Sequence, residues 1–173
     1  MISVIAGKYK GRKLHDVKDL HVRPTQAKVR KSIFQILEPL NDMEVLDLYA
    51  GVGTLGIEAL SRGATRVVFV ERNRRVCNVL KKNLEFFDTG NCSVFLADAL
   101  QFTARLKKSS FDIIFADPPY SDIQYIKIKD KVERILKPGG VFCMEMKKLQ
   151  IDIPDVRVKH YGSTQVVFWR TAA

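Results

Sequence analysis

The order of hydrophobic and polar positions divides the chain into two parts at about residue 40. Beyond that point, short apolar runs alternate with stretches in which apolar residues recur at helical spacing. A run of about four to eight apolar residues bounded by turn residues is typical of a buried strand, whereas helical spacing indicates an amphipathic helix. The predicted strands are residues 45–49, 67–70, 92–96, 113–116 and 141–144. The predicted helices between them are residues 55–61, 74–86, 99–106 and 126–136.

This alternation of strands and helices also predicts the topology. Strands joined by helical crossovers run parallel, with the helices packed on both faces of the sheet. The last two apolar segments, 156–161 and 165–169, are separated only by a short turn that contains Gly162 and therefore predict an antiparallel hairpin. The sequence thus predicts an α/β fold with a mostly parallel seven-stranded sheet and a C-terminal antiparallel hairpin.

An N-terminal extension, residues 1–40, precedes the alternating part. Residues 3–6 and 12–14 flank a glycine-bounded turn, which predicts a small β-hairpin. Thr25 follows a proline and is the predicted N-cap of a helix. The apolar residues that recur at helical spacing in it are Val29, Ile33, Ile36, Leu37 and Leu40. Because 173 residues suffice for one substantial core, we predict a single domain, 1–173, in which this extension joins a core of residues 41–173.

Positive charge is concentrated in the extension. The chain has 29 Lys and Arg against 19 Asp and Glu, a net charge of +10. Residues 1–31 hold nine basic and two acidic side chains, so this segment alone contributes +7. Such a segment attracts a polyanion, because each neutralised phosphate releases condensed counterions. We therefore predict that the extension binds nucleic acid; the alternative is that its charge only keeps the protein in solution.

The first motif that indicates chemistry is the turn from Asp47 to Gly56, which leads from a predicted strand into a predicted helix. Glycine lets a backbone turn approach a ligand closely, and open α/β sheets bind ligands at the carboxyl ends of their strands. The acidic residue that begins the turn would repel a pyrophosphate and attract a cation. The motif therefore favours S-adenosylmethionine over a dinucleotide. The residues predicted to bind it here are Asp47, Ala50, Gly51, Gly53 and Thr54.

Acidic residues also follow the next two predicted strands. Glu71 stands about 20 residues beyond the glycine turn, where a carboxylate accepts hydrogen bonds from ribose hydroxyls in nucleotide-binding folds. Asp98 has two interpretations, since it could accept from an adenine amine or cap the helix that follows. The predicted cofactor-binding set therefore also includes Glu71, Arg72, Asp98 and Ala99.

The most specific short motif is Asp117-Pro118-Pro119-Tyr120, which ends the fourth predicted strand. The prolines fix the backbone, so that the Asp117 side chain and the Pro118 carbonyl form a rigid pair of hydrogen-bond acceptors. Such a pair suits an amine with two hydrogens, and catalysis would come mainly from orientation. Either Asp117 or water would take the released proton. Tyr120 offers a ring for an unstacked base, so Asp117, Pro118 and Tyr120 are the predicted catalytic residues.

Other side chains point to no further chemistry. Cys77, Cys92 and Cys143 lie far apart and are expected to be buried, reduced thiols. The cysteines and histidines share no metal-ligand spacing, so we predict no metal site. No apolar run reaches the roughly 18 residues of a membrane span, and the N-terminus lacks the pattern of a secretory signal. We therefore expect a cytoplasmic protein without a membrane partner.

These motifs together resemble the Rossmann-like S-adenosylmethionine-dependent methyltransferases that modify amines. More narrowly, the chain resembles the RsmD family, which methylates the exocyclic amine of a guanine in small-subunit (16S) ribosomal RNA. The matching stretches are residues 4–14, 23–25, 29–30, 56–64 and 161–164. The resemblance implies a Rossmann-like methyltransferase fold, S-adenosylmethionine as cofactor, and RNA contacts from the extension. The predicted nucleic-acid-binding residues are Lys8, Lys10, Arg12, Arg23, Thr25 and Arg30.

Two other functions stay open on the sequence. A DNA or RNA adenine-amine methyltransferase would present the same acceptors to the same kind of amine, and a non-catalytic RNA-binding module would keep only the basic extension. We expect a monomer whose partner is ribosomal RNA, either naked or within an assembled small ribosomal subunit.

Overall fold

The structure, a computed structural model, describes residues 2–17, 25–88, 90–119 and 125–173. The helices are α1 (Ala27–Leu37), α2 (Thr54–Ser61), α3 (Arg74–Leu84), α4 (Ala99–Thr103) and α5 (Tyr125–Glu133). The strands are β1 (Ile2–Ser3), β2 (Lys13–Leu14), β3 (Glu44–Leu48), β4 (Arg66–Glu71), β5 (Cys92–Leu96), β6 (Phe111–Ala116), β7 (Leu136–Lys147), β8 (Val156–Tyr161) and β9 (Thr164–Arg170).

The main sheet has the strand order β5-β4-β3-β6-β7-β9-β8. Neighbours from β5 to β7 pair in parallel, whereas β9 pairs antiparallel with both β7 and β8. This confirms the predicted seven-stranded sheet and its C-terminal hairpin. The chain moves from β3 outward to β4 and β5, then returns to add β6 on the other side of β3. Such a switch point leaves a crevice at the carboxyl ends of the strands, where open α/β sheets bind ligands.

Alternate residues of the central strands face opposite sides of the sheet. Val45, Phe69 and Phe115 pack in one apolar cluster with residues of α1, α2 and α3. Their neighbours in sequence, among them Leu46 and Ile114, pack in a second cluster with residues of α4 and α5. Strands buried on both faces account for the near-continuous apolar runs in the sequence.

Three helices end earlier than predicted. Helices α3 and α4 end at Leu84 and Thr103, earlier than predicted. The predicted helix 126–136 extends too far, because Leu136 begins β7 and pairs with Phe111 of β6. Leu136 is buried in either conformation, so its apolar character did not separate the end of a helix from the start of a strand.

The N-terminal hairpin is shorter than predicted, since only β1 and β2 pair as strands. Val4 still bonds across the hairpin to Arg12 and Gly11, whereas the backbone of the turn bonds to α2. The buried Glu58 carboxylate accepts the N–H groups of Ile5 and Ala6 at 2.7 and 3.0 Å, and the Ser61 carbonyl accepts Lys8 N–H at 2.7 Å. The extension is therefore packed into the domain rather than attached as a separate arm.

Asn83 of α3 makes a second connection to the extension. Its fully buried side chain accepts His15 N–H and donates to the carbonyl oxygens of His15 and Val52. Val17, two residues after His15, packs against Val52 and Val76. Residues 15–17 thus lie against the glycine turn.

The three cysteines differ in exposure. Cys77 and Cys143 are buried free thiols, while Cys92 is partly exposed, which corrects the expectation for that residue. Burial raises the pKa of the Cys92 thiol to about 11. Within the described residues, no helix combines the length and apolarity needed to cross a bilayer. No group of three or more potential metal ligands comes together in the same residues.

Candidate active site

A cavity of about 500 Å³ opens at the carboxyl ends of β3, β4 and β6. It brings together residues that the sequence placed in separate motifs. The predicted residues that line it are Thr25, Ala50, Gly51, Thr54, Glu71, Arg72, Ala99, Asp117 and Pro118. A larger cavity of about 790 Å³, between α5 and residues 149–153, includes none of these residues. The cavity at the switch point is therefore the candidate active site.

The glycine turn forms one wall of this cavity. Gly51 lies in the left-handed region with a φ of 58°, and its N–H donates to Glu71 at 3.0 Å. Gly53, with a φ of 91°, precedes α2, and a Cβ there would stand 2.3 Å from Leu80 Cδ1. Gly53 is thus required for backbone shape and packing. It was predicted to bind the cofactor, but it does not line the cavity. Tyr49, which the sequence analysis missed, does line the cavity.

Asp47 lies behind the wall rather than on it. Its side chain is only 1% exposed, and its carboxylate accepts Gly56 N–H at 2.8 Å. Desolvation by burial raises the pKa of Asp47 to about 7. The predicted direct contact with a cationic ligand is therefore wrong for this geometry, because strand alternation turns the side chain toward α2 instead. Asp47 fixes the start of the helix that carries Thr54.

Glu71 occupies the predicted position at the tip of β4. One carboxylate oxygen accepts Gly51 N–H at 3.0 Å, and the other accepts Asn73 N–H at 2.7 Å. A carboxylate has about four lone-pair positions, so acceptor capacity remains on the side that faces the cavity. Asn73 caps α3 by accepting from the Arg75 and Val76 N–H groups.

Asp98 is used as a helix cap. Its Oδ1 accepts Gln101 N–H at 3.0 Å at the start of α4, which agrees with the second of its two interpretations. Ala97 and Ala99, on either side of it, line the cavity, while Asp98 does not. Its contact with an adenine amine stays a prediction.

Asp117 and Pro118 form the opposite wall, directly after β6. Asp117 accepts a hydrogen bond from the Thr25 hydroxyl at 3.0 Å, and Pro118 is buried. Desolvation by burial raises the pKa of Asp117 above its ordinary value, and the negative charge of the nearby Glu145 carboxylate adds to this shift. Tyr120, the third predicted catalytic residue, lies outside the described residues.

Thr25 has a different role from the predicted helix cap. Gln26 is the N-cap residue of α1, and it makes no capping bond with its side chain. The Thr25 hydroxyl instead joins the extension to Asp117, which is 92 positions away in sequence. Local pattern could not show this contact, since it depends on how α1 packs over the sheet.

The predicted nucleic-acid-binding residues divide into two groups. Lys8, Lys10 and Arg12 are exposed on the hairpin, where the Arg12 guanidinium lies 5.6 Å from the centre of the Phe87 ring. Arg30 is only 2% exposed, and its Nη2 donates to the Ser3 carbonyl at 3.0 Å. The prediction for Arg30 is therefore wrong, because a phosphate cannot reach a side chain that is buried to this extent. Arg23 lies outside the described residues.

Besides the candidate active site, a second cavity of about 420 Å³ lies at this edge of the sheet, and Thr25 lines both. It lies between the start of α1, the β8–β9 turn and Glu145 of β7. Glu145 is only 7% exposed and was not among the predicted site residues. The available signal was a single acid within the apolar run 141–146 of a buried strand.

The family described as conserved hypothetical protein 95 matches residues 2–170. Ribosomal RNA small subunit methyltransferase D of Haemophilus influenzae is 40% identical over 160 residues, which cover 85% of this chain and 79% of that protein. The protein of the same name from Escherichia coli is 40% identical over 120 residues, covering 69% of this chain and 60% of that relative.

A similar solved structure comes from Escherichia coli and is named "Putative methyltransferase yhhF". It has a TM-score of 0.86 and 31% sequence identity, and the match covers 99% of this chain and 98% of that one. The similarity therefore extends over the N-terminal hairpin as well as the sheet.

Proposed function

We propose a function from one premise: this chain belongs to the RsmD family, described as conserved hypothetical protein 95. It is an S-adenosylmethionine-dependent methyltransferase that modifies the exocyclic amine, N2, of a guanine in small-subunit ribosomal RNA. The observation that carries the proposal is the position of Asp117 and Pro118 on the cavity at the switch point, beside Thr25 of the basic extension. Two acceptors for an amine thus stand on the wall of a cavity suited to the methyl donor.

The cavity fits S-adenosylmethionine in size and in its polar groups. Its volume of about 500 Å³ is within the range of about 300–1,000 Å³ found for small-molecule sites. Glu71 would accept the ribose hydroxyls, and the apolar wall formed by Val76, Ala97 and Ala99 would contact the adenine ring. When bound, S-adenosylmethionine supplies a methyl carbon whose bond to sulfur breaks as the bond to the amine nitrogen forms, leaving a neutral thioether.

Asp117 and Pro118 would hold the target amine. The Asp117 carboxylate and the Pro118 carbonyl each accept one N–H of the amine, so that the nitrogen lone pair is directed into the cavity. Correct alignment of the reacting atoms accounts for much of the rate in such a reaction. The nitrogen then loses one proton, either to Asp117 or to water. The raised pKa of Asp117 makes its ionised carboxylate a better proton acceptor than an exposed aspartate.

The exposed basic side chains would hold the RNA backbone. Lys8, Lys10 and Arg12 project from the hairpin, and Lys28 lines the second cavity beside the β8–β9 turn. Contacts of this kind position a nucleic acid without reading its bases. A target guanine would be extruded from its stack to reach the strand ends, as enzymes that act on a base edge require.

One experiment distinguishes this proposal from the alternatives. The protein is incubated with labelled S-adenosylmethionine and, in separate reactions, with naked small-subunit ribosomal RNA, assembled small subunits or DNA. Nucleosides are then identified by mass spectrometry, and N2-methylguanosine is expected from an RNA substrate. N6-methyladenine in either nucleic acid would replace the proposal with the adenine-amine alternative. Absence of S-adenosylmethionine binding by calorimetry, together with RNA binding, would leave the non-catalytic module.

Asp117 provides the corresponding mutational test. Asp117→Ala removes an acceptor for the amine, so we expect methylation to fall at least about 100-fold while cofactor affinity stays nearly unchanged. Asp152→Ala, at an exposed loop position, is the matched control. Turnover by Asp117→Ala at the parental rate would contradict the proposed orientation of the amine.

A further inference from the structure

We propose that Glu145 selects the target base, by accepting the ring N1–H of guanine while Asp117 and Pro118 hold the neighbouring exocyclic amine. This inference rests on the proposed function and goes beyond it by assigning base selection to a residue of β7. The selected feature is a Watson–Crick edge that carries hydrogen-bond donors at both the amine and the adjacent ring nitrogen.

The register of the sheet places the two carboxylates side by side. β6 and β7 are parallel neighbours, and Ala116 is paired with Met144. Asp117 and Glu145 are the next residues on these strands, so they stand at the same edge on strands that lie about 4.8 Å apart. Both continue the alternation of Phe115 and Cys143, which pack in the cluster beneath α1.

The two cavities meet where these side chains lie. Glu145 lines the second cavity and Asp117 lines the first, while Thr25 lines both and donates its hydroxyl to Asp117 at 3.0 Å. A planar base with its amine at Asp117 could therefore extend toward Glu145 beneath Thr25. Glu145 also contributes to raising the pKa of Asp117, which is consistent with this proximity.

The chemistry of the base edge decides which base fits. An ionised carboxylate only accepts hydrogen bonds. Guanine presents N1–H beside its N2 amine, so both carboxylates meet donors. Adenine presents an N1 lone pair beside its N6 amine, so one carboxylate would face another acceptor in a buried place. Two acceptors that face each other in a buried place repel, so the site would discriminate against a base that has a lone pair at N1.

The test compares two amines that differ at N1. Small-subunit RNA is assembled by ligation with either guanine or 2-aminopurine at the methylated position, since 2-aminopurine keeps the C2 amine but has an acceptor at N1. The wild type and Glu145→Gln are assayed for kcat/KM on both RNAs. Glutamine keeps the size of the side chain and can donate its amide N–H to an N1 acceptor. Glu133→Gln, an exposed change on α5, is the control.

We expect the wild type to prefer guanine by at least about 100-fold, and Glu145→Gln to reduce that preference at least about tenfold. Comparing the ratio between variants cancels the different intrinsic reactivity of the two amines. Calorimetry with S-adenosylmethionine and thermal unfolding establish that Glu145→Gln is folded and binds the cofactor.

The outcomes separate this inference from the proposed function. Methylation of guanine N2 by the wild type, with the same guanine preference in wild type and Glu145→Gln, overturns the role of Glu145 alone. Absence of guanine methylation by the wild type overturns the proposed function, and the inference with it. If Glu145→Gln fails to fold, Glu145→Asp replaces it, and an unchanged preference in that shorter variant likewise overturns the inference.

Discussion

Asn83 joins the N-terminal extension to the glycine turn, and the cost of replacing it by alanine can be worked out from its contacts. Its Oδ1 accepts His15 N–H at 2.7 Å, and its Nδ2 donates to the carbonyl oxygens of His15 and Val52, each at 3.0 Å. Asn83→Ala leaves three backbone groups without this partner. The bond to the Val52 carbonyl is buried and the two bonds to His15 are partly buried, and an unpaired buried group costs about 1–3 kcal/mol. Water that enters the vacated space would recover part of that cost. We therefore expect the free energy of unfolding to fall by about 3–5 kcal/mol, a large share of the roughly 5–15 kcal/mol typical of a domain.

Urea denaturation followed by circular dichroism measures this loss. Asn78→Ala, at an exposed position of the same helix, is the matched control and should change stability by less than about 0.5 kcal/mol. Because Val52 also lines the candidate active site, Asn83→Ala should weaken S-adenosylmethionine binding in calorimetry under conditions where the variant is folded. A loss below about 1 kcal/mol, or equal losses in the two variants, would refute the role of Asn83 as the anchor of the extension.

Two further predictions concern the carboxylates. The hydrogen bond from the Thr25 hydroxyl lowers the pKa of Asp117, so Thr25→Val should raise that pKa and shift the rising limb of the pH–rate profile to higher pH. The control variant Thr65→Val, at an exposed position, should leave the limb in place. An unshifted limb in Thr25→Val would indicate that water takes the proton. Burial raises the pKa of Asp47 to about 7 from its ordinary value of 3.8. The folded state therefore binds more protons than the unfolded state between these two pH values, and its stability falls as pH rises through that window. In urea titrations, Asp47→Asn should lose less stability than the wild type over the same pH range. If the free energy of unfolding fell equally with pH in the two proteins, Asp47 would not be the group responsible.

Local pattern was sufficient for the main sheet and for much of the cavity wall. Strands buried on both faces produce apolar runs that are hard to mistake, and acids such as Glu71 and Asp117 stand out where those runs end. The order of elements then brings these strand ends together, because parallel strands share one carboxyl edge. The positions of Ala50, Gly51 and Pro118 followed from the same reasoning.

Two of the errors arose where the fold uses a side chain across a long sequence separation. The Thr25–Asp117 bond spans 92 positions, and the bonds of Glu58 to the extension span 52 and 53. Arg30 is different, since a local signal existed. It stands three and four residues before Ile33 and Phe34, which places it on the buried face of α1. A count of charges along the chain conceals that helical position.

Strand position also explains why the acids at this edge have different roles. Asp47, inside β3, is committed to the face beneath α2, whereas Asp117 follows the end of β6 and reaches the cavity. With Glu145 on β7, three carboxylates lie on neighbouring strands, an arrangement that like-charge repulsion opposes. The start of α1 lies beside two of them, because Thr25 precedes the helix, bonds to Asp117 and lines the second cavity together with Glu145. The positive end of the helix dipole therefore favours the ionised form of these two acids, and an ionised carboxylate accepts hydrogen bonds from a donor-rich base.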